Sequence, residues 1–196
     1  MSGTWHRLSD FNNPWFFSSV PSTAAGGGGR FDLLTPHGTC YWADSLKGAL
    51  AEKFLRVPLN VVTEEQVLSL WHHSFALDNP PDAADLTSGS VRRFGVNAEI
   101  HKSLDYSLTR SWAIALRTAG WRGLRSLLRS DQAVRVRGLA IFGSAGAAQR
   151  APRGFAGATH IRLDNVVATR ILGDMGVAVL PIPTSVRIRP VRIRRR

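Results

Sequence analysis

A mixed α/β fold in one compact domain is what this sequence predicts, and three observations point to it. Helix-like and strand-like segments alternate along the chain. The length, 196 residues, suits one domain with a short tail. At that size folding can bury roughly 70% of the unfolded chain's surface, enough for a core without disulfides, and the 44% hydrophobic content supplies it.

Taken in order, "TCYWA" (39–43) is apolar and aromatic between "PHG" and "DS", and reads as a buried strand. Asp44 or Ser45 can cap a helix over 46–55, with Leu46, Leu50 and Phe54 as its core stripe and Pro58 beyond its end. "LNVV" (59–62) reads as a strand or an extended lead-in. Thr63 and Gln66 form a capping pattern, so a helix begins near Thr63. Its length is open, because "VLSLW" suits a strand equally well. Residues 79–90, "NPPDAADLTSGS", are a loop in which "ADL" suits a short strand.

The firmest helix is 103–120, with Leu108, Trp112, Leu116 and the alanines on its inward stripe and Gly120 after its end. "VRVRGLAIFG" (134–143) alternates and then turns apolar, as a strand does. "IRLDNVVATRILGDMG" (161–176) reads as a helix ending near Gly173 or Gly176, and "VAVLPIP" (177–183) as a last strand.

The formal charge is +11, and six arginines in the last ten residues carry much of it; removing their charges leaves +5. Such a tail is a solvated terminus, an edge strand limited by Pro190, or a charge-driven contact with nucleic acid or an acidic partner. The single cysteine, Cys40, excludes an intramolecular disulfide and a four-cysteine zinc site. It reads as a small buried hydrophobe. One cysteine and no signal peptide suit a reducing, cytoplasmic setting, and no stretch approaches the roughly 20 apolar residues of a membrane span.

The richest stretch for chemistry is "GGGGRFDLLTPHGTCYWADSLKGALAEKF" (26–54). Consecutive glycines permit positive φ and can aim amides at an anion. Arg30, directly after them, offers a planar fork that suits phosphate oxygens. The plainer reading is a surface loop. Tyr41 is either a core aromatic or a ring that stacks on a heterocycle. Glu52 lies off the Leu46/Leu50/Phe54 stripe, so it is a solvated helix residue or a carboxylate beside a ribose, where it would stabilise positive charge at the anomeric carbon. No Walker A sequence occurs, and "GGGGRF" opens no helix as a dinucleotide fingerprint would. His72 and His73 are adjacent and face different directions in either regular structure, and no His-Glu-x-x-His occurs, so no metal is expected.

Read together, "GGRFD", "TCYWAD" and "GALAEKF" resemble the RES-domain family, named for Arg, Glu and Ser. "WHRLSD" and "NPWFFSS" are similar to its opening segment, "DYSLTRSWAIALRTAGWRGLRSLLRSD" to a central one, and "GLAIFGSAG" to the strand that follows. The resemblance spans roughly 5–182, which implies a RES domain over 1–183 and an Arg-rich tail over 184–196. It implies a fold similar to ADP-ribosyltransferases, with a mixed sheet core, flanking helices and a cleft for NAD. Members are toxins of bacterial RES–Xre toxin–antitoxin pairs that degrade NAD by hydrolysis or phosphorolysis of the nicotinamide–ribose bond; some relatives transfer ADP-ribose instead.

Carried over by position, the family arginine, tyrosine and glutamate fall on Arg30, Tyr41 and Glu52, and Arg7 matches an N-terminal basic position. The serine segment departs from the pattern. Ser126 stands where a tyrosine is usual, Leu128 where the serine is usual, and Arg129 is retained; either Ser126 or Ser130 substitutes, or the serine's contribution is missing. The implied partners are NAD as substrate, without metal, and an Xre-type antitoxin protein. Nucleic acid would bind only through the basic tail.

Overall fold

Alternation along its central strand explains how this chain builds two cores, one on each face of a sheet. The computed structural model describes residues 3–55, 61–77, 82–130, 135–153, 155 and 157–182. The strands are β1 (Gly3–Ser9), β2 (Phe16–Phe17), β3 (Ser19–Val20), β4 (Leu33–Leu34), β5 (His37–Ala43), β6 (Val61–Thr63), β7 (Trp71–Leu77), β8 (Ala83–Asp85), β9 (Gly123–Leu127), β10 (Arg137–Ser144), β11 (Gly146–Ala147), β12 (Thr159–Arg162) and β13 (Ala178–Leu180). The helices are α1 (Leu46–Phe54), α2 (Glu64–Leu68), α3 (Glu99–Lys102), α4 (Tyr106–Thr118) and α5 (Asn165–Asp174), with a 3₁₀ turn over Gly89–Phe94.

Seven strands form one sheet in the order β12-β7-β1-β5-β10-β9-β8. All neighbours pair antiparallel except β8 and β9, so the sheet is mixed. Along β5, Cys40 and Trp42 join Trp5, Trp15 and Phe75 in one aromatic core. Tyr41, pointing the other way, packs against the core of Phe31, Leu124 and Ala140, and Ala43 meets Ala49 of α1.

The expected elements are largely present. Of the two candidate caps for α1, Ser45 serves, accepting from the Gly48 amide at 3.2 Å. Leu50 is fully buried, with Leu46 and Phe54 packed on the same core. Thr63 and Gln66 make the reciprocal capping box of α2. That helix ends at Leu68, because the next segment pairs with all seven residues of β1 and becomes β7. "ADL" supplies β8, and Leu86 continues its pairing by donating to the Arg125 carbonyl.

Two expectations need correction. The helix over 161–176 begins only at Asn165, capped by Asp164; Ile161 and Arg162 belong to β12, held by pairing with His72 and Trp71 of β7. In α4 the inward stripe is rotated: Leu108 is 50% exposed, whereas Thr109 and Arg110 are fully buried beside Ala113, one of the expected alanines. Trp112 and Leu116 are half-buried as expected. The seven-residue strand β1 had no counterpart among the expected elements. Pro58, the first residue of the 134–143 strand, the end of the 177–183 strand and the tail 184–196 lie outside the described residues. Among the described residues, no helix is long and apolar enough to cross a membrane.

Candidate active site

The glycine loop closes its carbonyls on a buried cation and its Gly29 amide on a buried carboxylate. Gly27 and Gly28 take φ of 74° and 70°, as only glycine does without strain. The loop's carbonyls turn inward to Arg110 of α4. Its Nε donates to Gly29 O and Nη1 to Thr23 O, both at 3.2 Å, and further bonds reach Ala25 O and Gly27 O. The Gly29 amide donates to Asp32 Oδ2 at 2.7 Å, so it is spent within the protein.

Arg30 leaves this loop buried, at 9% exposure. Its guanidinium donates to the Leu127 carbonyl of β9 at 2.9 Å and to the Ile100 and His101 carbonyls of α3. Burial holds its pKa below the usual arginine value, an effect opposed by Glu52, Tyr41 and Tyr106. Tyr41 is half-buried; its hydroxyl donates to Asp32 Oδ1 at 2.7 Å and accepts from the Phe31 amide at 3.0 Å. Glu52 sits on α1, half-buried, and accepts from Ser130 Oγ at 2.7 Å.

These groups share one cleft of about 380 Å³, lined by all six of the expected site residues: Arg7, Arg30, Tyr41, Glu52, Ser126 and Arg129. They do not all present their heads in the same way. Arg7 donates to Cys40 Sγ at 3.0 Å, Tyr41 O at 3.2 Å and Phe16 O at 3.3 Å, so its guanidinium is engaged beneath the cleft wall. Arg129 extends over the Tyr106 ring, 5.6 Å from its centroid. Ser126 is buried on β9 opposite Gly138, and Leu128 is core, packed beside Ala43 and Ala49. Of the two candidate serines, Ser130 is the one bonded to Glu52.

Three arginines and Lys53 against one glutamate make the cleft favourable to an anion. His6 lies at its edge, stacked on His72 with Nδ1 and Nε2 2.9 Å apart. Burial, then His72, lowers the His6 pKa to about 4, so this pair adds no full charge near neutral pH. His72 and His73 do face opposite ways: His72 meets His6, whereas His73 meets Ser9 at 2.9 Å. Among the described residues no group of three or more His, Cys, Asp or Glu could hold a metal. Cys40 is fully buried, and burial pushes its thiol pKa up.

Sequence reasoning missed Asp32, Arg110, His6 and Tyr106 as parts of the site. All four lie inside stretches that carry the family resemblance, and Tyr106 also follows the Asp105 cap at the cleft end of α4.

No curated protein matches the chain. Among solved structures, a chain of the M. tuberculosis MbcT–MbcA toxin–antitoxin complex superposes with a TM-score of 0.57 at 15% identity, covering 88% of this chain and 90% of that one. That likeness extends to the mixed sheet with flanking helices. The model of the RES domain matches residues 4–164, which takes in the glycine loop, β1, β5, α1, α4, β9 and β10, the elements that line the cleft. With most of its length under that match, the chain belongs to the RES domain family.

Proposed function

We propose that this protein cleaves NAD at the nicotinamide–ribose bond, acting as the toxin of a toxin–antitoxin pair. The observation that carries the reading is the convergence of Arg30, Tyr41 and Glu52 on one positively charged cleft, from a loop, a strand and a helix. Arg129, beside Tyr106, is better disposed than Arg7 to meet the diphosphate, since Arg7 is bonded to Cys40 Sγ and two carbonyls. Arg30 adds its buried positive charge. Tyr41 packs on the nicotinamide side. Glu52 binds the ribose hydroxyls and stabilises the oxocarbenium-like charge as the bond breaks. The bond's electron pair leaves on the nicotinamide nitrogen, which becomes neutral. Water or inorganic phosphate then bonds to the anomeric carbon and releases a proton to solvent.

The test is to follow nicotinamide release from NAD by the purified protein, freed of any inhibitor, with and without phosphate. Release is expected, and its absence overturns the reading. Label carried on NAD separates the outcomes: free ADP-ribose marks hydrolysis, its phosphate ester marks phosphorolysis, and covalent label on a macromolecule marks transfer.

An enzyme that consumes NAD would harm its own cell, so the reading includes a cytoplasmic antitoxin protein, of Xre type by family resemblance, that blocks the cleft. The similarity to a chain of a toxin–antitoxin complex supports such a partner. Co-expression with the neighbouring gene and co-purification of the two products test it.

A further inference from the structure

We propose that Asp32 is a positioning residue of the cleft: its carboxylate fixes the Tyr41 hydroxyl, and the Arg110-clamped glycine loop fixes Asp32. What Tyr41 is positioned to do rests on the NAD reading above; the coupling itself rests on geometry alone.

Asp32 is 0% exposed and is the sole buried carboxylate among the described residues. Burying such a group is costly unless its oxygens are satisfied. Here each oxygen has a separate task. Oδ1 accepts from the Tyr41 hydroxyl and Oδ2 from the Gly29 amide, both at 2.7 Å. One side chain therefore ties the residue before Arg30 to the tyrosine across the cleft wall. The Asp32 amide also donates to Gly29 O, closing the turn that carries Arg30.

Arg110 works from the other side of the same loop. It is also 0% exposed, and it gathers the carbonyls of Thr23, Ala25, Gly27 and Gly29. Gly28 lies between the two charged groups. A Cβ there would stand 2.6 Å from Asp32 Oδ2 and 3.3 Å from Arg110 Nη2. The guanidinium thus sets the loop, the loop's Gly29 amide sets the carboxylate, and the carboxylate sets the phenol. With its hydroxyl donating to Asp32 and accepting from the Phe31 amide, the Tyr41 ring is held in one orientation at the cleft before any ligand arrives. Asp32 touches no ligand; it acts through Tyr41.

The chain has two tyrosines, Tyr41 and Tyr106, so carbon-13 at the ring ζ position gives two signals, assigned by Tyr41→Phe. In mixed light and heavy water, the wild-type Tyr41 signal is expected to split into an isotope pair, the mark of a slowly exchanging hydroxyl. In Asp32→Asn that pair should collapse while the Tyr106 signal stays put. A single Tyr41 line in the wild type overturns the proposal without reference to NAD, and that measurement stands even where Asp32→Asn fails to fold.

With NAD, Asp32→Asn and Tyr41→Phe should each lower kcat/KM on the order of tenfold to a hundredfold. The double variant should lose no more than the worse single one. Losses that multiply overturn the proposal, as does an Asp32→Asn protein that is less stable yet keeps its kcat/KM. Wild-type protein that leaves NAD intact would sink the NAD reading, and the isotope splitting would still decide the Asp32–Tyr41 coupling.

Discussion

The Ser130 hydroxyl donates to Glu52 Oε1 at 2.7 Å, although the two residues are 78 apart in the sequence. The bond crosses from the segment after β9 to the face of α1, and both residues line the cleft. Leu128, at the position where the family serine is usual, is buried in the core and lines the same cleft with an apolar side chain. In the proposed reaction Ser130 therefore supplies an orienting donor from two residues further along.

Ser130→Ala is expected to lower kcat on NAD by about tenfold, the worth of one hydrogen bond to a charged group, with little change in the unfolding midpoint, because Ser130 is half-buried in a loop. Glu52→Gln should abolish turnover and keep the fold. Steady-state kinetics beside thermal melts checks both. An unchanged kcat in Ser130→Ala would remove the serine from this role.

Arg110→Met should destabilise the protein by at least about 3 kcal/mol, since loop carbonyls that now accept from a buried cation would lose their donor. Arg110→Lys should recover part of the loss, because a point charge reaches fewer of them. Urea unfolding provides the measure. A midpoint for Arg110→Met equal to that of the wild type would show that the loop finds other donors.

How much of this was legible in the sequence depends on what kind of force held each part. Ser45 and Thr63 could be read as caps because capping is local. The rotated face of α4 could not, since a helical arginine reads as a surface residue until a loop 83 residues away in sequence offers it the Gly27 carbonyl. Ile161 and Arg162 suited a helix on pattern alone, and pairing with β7 made them strand. In the site, Arg30, Tyr41 and Glu52 were legible through the order of their motifs, and all three line the cleft. Asp32 lay inside the same quoted stretch and passed unremarked, because nothing local distinguishes a buried carboxylate from a turn aspartate.

Acid should weaken the fold above the carboxylate range. The pKa values of His6 and His73 are both lowered to about 4, mainly by burial. An unfolded histidine takes up its proton near pH 6.5. Between about pH 6.5 and 4 the unfolded chain therefore binds protons that the folded chain refuses, so stability falls as pH falls. Above that window both states hold neutral rings and these two residues contribute no slope. Urea midpoints at pH 7.5, 5.5 and 4.5 should decline across the series. Equal midpoints would mean that the two rings accept protons without unfolding.

The glycine run offers an internal control. Gly26 has open space where a Cβ would sit, whereas at Gly28 a Cβ would lie 2.6 Å from Asp32 Oδ2 on a backbone with φ of +70°. Gly26→Ala is expected to leave both stability and NAD turnover close to wild type. Gly28→Ala should cost roughly 1–2 kcal/mol from the left-handed backbone alone. It should also cut turnover, because the displaced carboxylate carries the Tyr41 hydroxyl with it. Thermal melts and nicotinamide release on the two variants, side by side, make the check. Equal behaviour of Gly26→Ala and Gly28→Ala would show that the loop tolerates movement of Asp32, and that the glycines serve only as turn residues.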